Sequence, residues 1–169
     1  MNINISSENI FEGREIDEKK AISVAKQVLK YYMAQVGGQS ALAGQKYDTV
    51  SFDIFYCSSE KTHELNLEYR GKDYPADIIT FAVFADSPDE ERFVLDMEIN
   101  LGEIIIGLDK IIEEAQKKEI SKEAELLFLI SHGIMHLLGF DHQSEEEFNF
   151  VVKYQKQALE SMGIKYDKI

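Results

Sequence analysis

A single cysteine, two prolines and no tryptophan occur in 169 residues. With only Cys57 available, an internal disulfide framework is excluded, and a reducing compartment is the plain expectation. Cys57 ends an apolar run, so it reads as a buried, inert thiol. No stretch approaches the ~18 consecutive apolar residues of a membrane span. The opening "MNINISSENI" has neither the basic nor the apolar region of a secretory signal. A cytoplasmic protein is expected. Positive charge is also scarce: 18 Lys and Arg stand against 31 Asp and Glu, for a net charge of −13. Phosphate contacts need Lys and Arg, so this balance argues against DNA binding and against any RNA binding that lacks a local basic patch.

The residues that are present suit one folded domain over 1–169, with 44% apolar and 29% charged side chains. Ile3 and Ile5 alternate with polar neighbours, as in a short strand. Asp17 is placed to cap a helix running to about Val36, with Ile22, Ala25, Val28, Leu29 and Tyr32 on one face. "GGQSALAGQ" (37–45) reads as a helix stop and a flexible loop. "TVSFDIFYC" has the alternation of a strand. Ser58 or Ser59 caps a short helix to about Tyr69, "RGKDYPAD" is a loop and "IITFAVF" a strand. "SPDEERF" is an acidic turn. "FVLDMEI" and "LGEIIIG" read as two strands, neighbours in one sheet. Residues 108–119 form an amphipathic helix. Ser121 caps the next, which carries "ELLFLISHGIMHLL" and ends at Gly139. Ser144 and Glu147 have capping-box spacing before a last helix to Met162, stopped by Gly163. The expected class is α+β, with about four strands and about five helices.

Three of the four histidines fall in "HGIMHLLGFDH" (132–142), spaced His-x3-His-x5-His. This is the ligand spacing of metzincin zinc proteases, and Gly139 falls on that motif's glycine. His132 and His136 lie one turn apart on one helix face, so two imidazoles can close on one ion. Gly139 breaks the helix, and Phe140 and Asp141 carry the chain round so that His142 can return. Three nitrogen ligands leave a fourth position open, as in catalytic zinc sites. The alternative is three ordinary histidines. The surrounding helix is apolar nearly all round, however, and two unpaired imidazoles there cost a few kcal/mol in desolvation. Zn2+, one per chain, is the expected ion, although imidazole also suits Cu, Fe and Ni. His63 has no such company and reads as a surface residue.

At 133, where a zinc protease carries its general base, this chain has Gly133. Peptide hydrolysis loses its base. The glycine either lets something approach the helix or lets the helix pack tightly. Phosphodiester cleavage depends less on that glutamate and needs positive charge near the reacting phosphate. Arg70 and Lys72 flank Gly71, and Arg70 can clamp a phosphate through two hydrogen bonds. An ordinary solvated arginine at a helix end is the alternative. Asp141 can orient an imidazole, act as a base or cap the turn.

At this point the chain resembles a known family. "HGIMHLLGFDH" resembles the H-G-x-x-H-L-x-G-[YF]-D-H signature of the YbeY family of bacterial metal-dependent endoribonucleases. "LNLEYRGKDYPADIITFAV" (65–83) resembles its L-N-x-x-Y-R-x-K-D-x-P-T-D-V-L-S-F-P segment, and "LGEIIIG" (101–107) its L-G-D-I-x-I strand. The order is the family's. The resemblance implies a small mixed sheet with helices and a zincin-like core. It implies that His132, His136 and His142 hold zinc and that Arg70 faces the metal cleft. The implied activity is single-strand-specific RNA cleavage in maturation of the small-subunit (16S) rRNA 3′ end and in ribosome quality control. The implied partners are small-subunit ribosomal components and an assembly GTPase. Two other readings stay open: an assembly-binding factor with a structural metal, and a hydrolase of another phosphoester. Ala76, Ile78, Thr80, Ala82 and Glu103 replace the family's Thr, Val, Ser, Pro and Asp, and 37–45 looks longer than its usual connection. None of these changes touches a histidine of the motif or Arg70.

Overall fold

The computed structural model describes residues 1–12 and 16–166. Its strands are β1 (Asn2–Asn9), β2 (Thr49–Cys57), β3 (Ile78–Phe81) and β4 (Glu98–Gly107), ordered β1-β2-β4-β3. β2 runs parallel to both β1 and β4, while β3 is antiparallel to β4 and forms an edge. The helices are α1 (Glu18–Val36), α2 (Ser59–Arg70), the single turn α3 (Val83–Asp86), α4 (Leu108–Lys118), α5 (Lys122–Leu137) and α6 (Glu145–Ser161). The α+β class with a small mixed sheet is therefore as the sequence implies.

The helix starts follow local chemistry. The side chains of Asp17, Ser58, Ser121 and Ser144 each accept a backbone N–H from the first turn of their helix. Ser58, not Ser59, is the cap of α2; Ser59 instead donates its hydroxyl to Asp109. Glu147 returns its carboxylate to the Gln143 N–H, one residue before the usual capping-box partner.

Three expectations are corrected. "FVLDMEI" and "LGEIIIG" do not form two strands. Asp96 and Met97 both have positive φ, of 51° and 64°, and Leu95 and Glu98 exchange backbone hydrogen bonds around them. A chain turned back this tightly starts its strand only at Glu98, so β4 is one strand. Within it, a bulge opposite Ser51 and Phe52 admits one extra residue, Leu101. The bulge inverts the parity: Ile99 before it, Leu101 within it, and Ile104 and Ile106 after it all belong to the same core.

"IITFAVF" is a strand only to Phe81. Its ladder partner beyond Glu103 is Gly102, which has φ +127° and lies so close that a β-carbon there would sit 1.9 Å from the Phe81 carbonyl oxygen. Pairing ends there and the chain turns into α3. Arg92, from the segment read as an acidic turn, donates to the carbonyls of Phe84, Ala85 and Ser87 and fixes that turn.

The segment 37–45 is a built connection. Gly37–Gln39 is a short 3-10 turn, Ser40 and Leu42 are buried, and the Ala41 N–H donates to the Leu138 carbonyl at 2.9 Å. The larger core lies between the sheet and α1, α4, α5 and α6, and extends from Ile3 to Tyr166. A smaller cluster of Cys57, Ala76, Ile79 and Ile105 lies under α2 on the other face. Cys57 is buried, which pushes its thiol up to about 11, an inert state at neutral pH.

Candidate metal centre

Helix α5 lies against the sheet because position 133 has no side chain. A β-carbon on Gly133 would meet Ile104 Cδ1 at 2.9 Å and Ile78 Cδ1 at 3.1 Å. Tight packing, rather than approach of a ligand, therefore accounts for this glycine. The helix rotation that presses Gly133 onto β3 and β4 turns His132 and His136 toward the open end of the cleft.

The helix ends in a Schellman motif. The Gly139 N–H donates to the His136 carbonyl and the Phe140 N–H to the Met135 carbonyl, with Gly139 at φ +93°. Ala41 and Ala85 close on this turn from either side: a β-carbon on Gly139 would lie 3.3 and 3.4 Å from theirs. Phe140 packs on Phe150 of α6 at 5.4 Å between ring centroids. Asp141 accepts the His142 N–H at 2.8 Å. Of its three readings, the observed contact is the one within the turn.

These constraints return His142 to the other two histidines. Ring centroids are 4.7, 4.8 and 5.0 Å apart, and one nitrogen from each ring lies within 4.8 Å of the others. His132 Nε2 and His136 Nε2 are 3.0 Å apart. Nitrogens on a tetrahedral zinc at about 2.0–2.1 Å are roughly 3.3 Å apart, so this pair fits such an ion. Burial lowers the pKa of His132 and takes that of His136 down to about 4, with His132 and His142 adding to the His136 shift. Both rings are neutral at pH 7, the form that coordinates metals.

The cleft holds about 470 Å³, and its walls include Arg70, Ile78, Thr80, Asp86 and the three histidines. Arg70 closes α2, where Gly71 at φ +66° turns the chain back. Its charge reaches His136 and lowers that pKa further. Lys72 does not line the cleft. His63 is on the surface as expected, but it has company: Asp73, at 2.7 Å.

Gln155 of α6 is the residue the sequence reading missed. It is fully buried, and its Oε1 lies 3.3 Å from His132 Nδ1. The available signal was a lone amide on the buried stripe Val151, Gln155, Ala158, Leu159.

The family model described as "Endoribonuclease YbeY" matches residues 6–163. The chain belongs to the YbeY family of endoribonucleases. Among curated relatives, Endoribonuclease YbeY of Bacillus licheniformis is 41% identical over 118 residues, 69% of this chain and 75% of that protein. The Malacoplasma penetrans protein of the same name is 32% identical over 155 residues, covering 92% and 93%. The solution structure of TM1509 from Thermotoga maritima shares the fold, with a TM-score of 0.56 over 95% of this chain and 91% of that one at 24% identity. The YbeY match covers both the histidine turn and the Arg70 segment. Among the described residues, no helix is long and apolar enough to cross a membrane.

Proposed function

We propose that this chain is a single-strand-specific, zinc-dependent endoribonuclease, working in the cytoplasm on maturation of the small-subunit (16S) rRNA 3′ end and on ribosome quality control. One domain over 1–169 carries the activity. His132, His136 and His142 hold one Zn2+, and Arg70 is the catalytic side chain. The observation that supports this reading is the convergence of three imidazole nitrogens within 4.8 Å in a cleft that Arg70 also lines. When bound, the ion supplies Lewis acidity toward a phosphate oxygen. Imidazole ligands carry no formal charge when they hold a metal, so they would leave the ion's charge undiminished. The Arg70 guanidinium clamps non-bridging phosphate oxygens and stabilises charge that grows in the transition state.

The −13 charge supports delivery by protein partners, namely small-subunit ribosomal components and an assembly GTPase, rather than unaided capture of RNA. DNA is not a substrate in this reading. The same charge suits a metal-dependent hydrolase of another small phosphoester, a reading that stands beside an assembly-binding factor with a structural metal. Purified protein is incubated with single-stranded rRNA and with a duplex control, alongside His136→Ala and Arg70→Ala. Cleavage of the single strand by wild type alone is expected. Equal cleavage by His136→Ala marks the activity as a contaminant. Normal rRNA maturation in cells carrying a folded Arg70→Ala protein favours the binding-factor reading. Faster turnover of small phosphoesters than of RNA favours a different hydrolase.

A further inference from the structure

We infer that Gln155 is the positioning residue that sets the tautomer of His132 and thereby tunes metal affinity. The inference rests on the metal site proposed above, and it concerns a side chain on a separate helix.

The orientation of the Gln155 amide follows from its neighbours. The Ser131 hydroxyl donates to the Phe128 carbonyl at 2.6 Å, so toward Gln155 it can only accept. The Phe128 carbonyl is an acceptor in any case. Gln155 Nε2 faces both, at 3.2 Å from Ser131 Oγ and 3.3 Å from the Phe128 oxygen. Reversing the amide would set its oxygen against a carbonyl oxygen in a buried site, which is strongly unfavourable. Gln155 Oε1 is thereby committed to His132 Nδ1 at 3.3 Å. An oxygen there accepts only from Nδ1–H. His132 Nε2 is then unprotonated, and its lone pair points toward His136 Nε2, where an ion would sit. The opposite tautomer would put a proton in the ion's place and leave two acceptors facing each other in the core.

The network is anchored further away. Tyr32 of α1 donates to the Ser131 carbonyl at 3.0 Å, so α1, α5 and α6 all bear on the orientation of one imidazole. Outer hydrogen-bond partners of ligating histidines typically change metal affinity by roughly 10–100-fold when removed.

The test uses metal-free and zinc-loaded full-length protein, without RNA. Long-range proton–nitrogen NMR of metal-free wild type is expected to show His132 protonated at Nδ1 and bare at Nε2. Gln155→Met, of similar size with no acceptor oxygen, is expected to populate the Nε2–H form. It is also expected to lose roughly 10–100-fold in zinc affinity by chelator competition. Gln155→Glu retains an acceptor toward His132 and is expected to restore the Nδ1–H tautomer, at a cost in stability because its second oxygen meets the Phe128 carbonyl; a side chain that only fills space would show no such return of the tautomer. A wild-type spectrum with His132 protonated at Nε2 overturns the inference, and it does so even where Gln155→Met fails to fold. So does a folded Gln155→Met with unchanged tautomer and affinity. Absence of RNA cleavage by zinc-loaded wild type in a separate assay, with these readouts as expected, would overturn the nuclease reading and leave this one standing.

Discussion

Gly133 and Ile104 are packed so closely that a β-carbon on the glycine would lie 2.9 Å from Ile104 Cδ1, the tip of a fully buried side chain. The position that carries the general base in zinc proteases faces the sheet here. Gly133→Glu therefore supplies no base. It forces both Ile104 and Ile78 aside and buries a carboxylate, so a loss of about 3 kcal/mol or more is expected. Urea unfolding measures it, and peptide hydrolysis by the variant stays at background.

Gly139→Ala tests the turn that returns His142. Its φ of +93° is strained for any side chain, and Ala41 stands 3.3 Å from the new carbon. The expected destabilisation is about 1–2 kcal/mol. Zinc affinity should fall with it, because the same turn carries the third histidine; unfolding and chelator competition measured on one sample check both.

Arg70→Ala is expected to lower RNA cleavage by roughly 10²–10³-fold, as for loss of one transition-state donor. Arg70→Lys keeps the charge but not the two-pronged geometry, and should recover only part of the rate. Zinc affinity stays within about twofold of wild type in both, since neither change removes a nitrogen donor. Single-turnover rates with excess enzyme separate this from weaker RNA binding.

Metal-free protein is expected to be acid-labile in a defined window. The folded pKa of His136, about 4, lies below its ordinary 6.5. Between these values the unfolded chain binds a proton that the folded one does not, so stability falls as pH drops from about 6.5 to about 4. At roughly 1.4 kcal/mol per pKa unit, His136 accounts for about 3 kcal/mol, and His132 acts in the same direction. Denaturant midpoints across this range, taken in the presence of a chelator, read the slope. Excess zinc should move the window to lower pH, because protons must then displace an ion.

Cys57 should resist thiol reagents until the protein unfolds. It is fully buried and its pKa is raised to about 11, so the native protein presents almost no accessible thiolate. Its labelling rate is then expected to follow the unfolding equilibrium as denaturant is raised.

Features that depend on a few neighbouring residues were determined by the sequence alone. Asp17, Ser121 and Ser144 cap helices because an oxygen and a free N–H lie within one turn of each other, whereas the choice of Ser58 over Ser59 at α2 was made by distant Asp109, which takes the Ser59 hydroxyl. Gly139 stops α5 because only glycine adopts its backbone conformation without strain. His132 and His136 share a face because four residues make about one turn. The tertiary structure decided what depends on distant surfaces meeting. The two strand-like runs between Phe93 and Gly107 became a turn and one strand because Asp96 and Met97 reverse the chain and the bulge at Leu101 inverts the alternation. No local period encodes either event. Residues 37–45 look flexible until Ala41 is set against Leu138 and Gly139. Arg70 acquires a place beside His136 only when α2 packs on β3 and β4, and Gln155 one beside His132 only when α6 packs on α5. Spacing along the chain carries backbone hydrogen-bond geometry over a turn or two; which side chains face one another across the core is set by how whole faces pack.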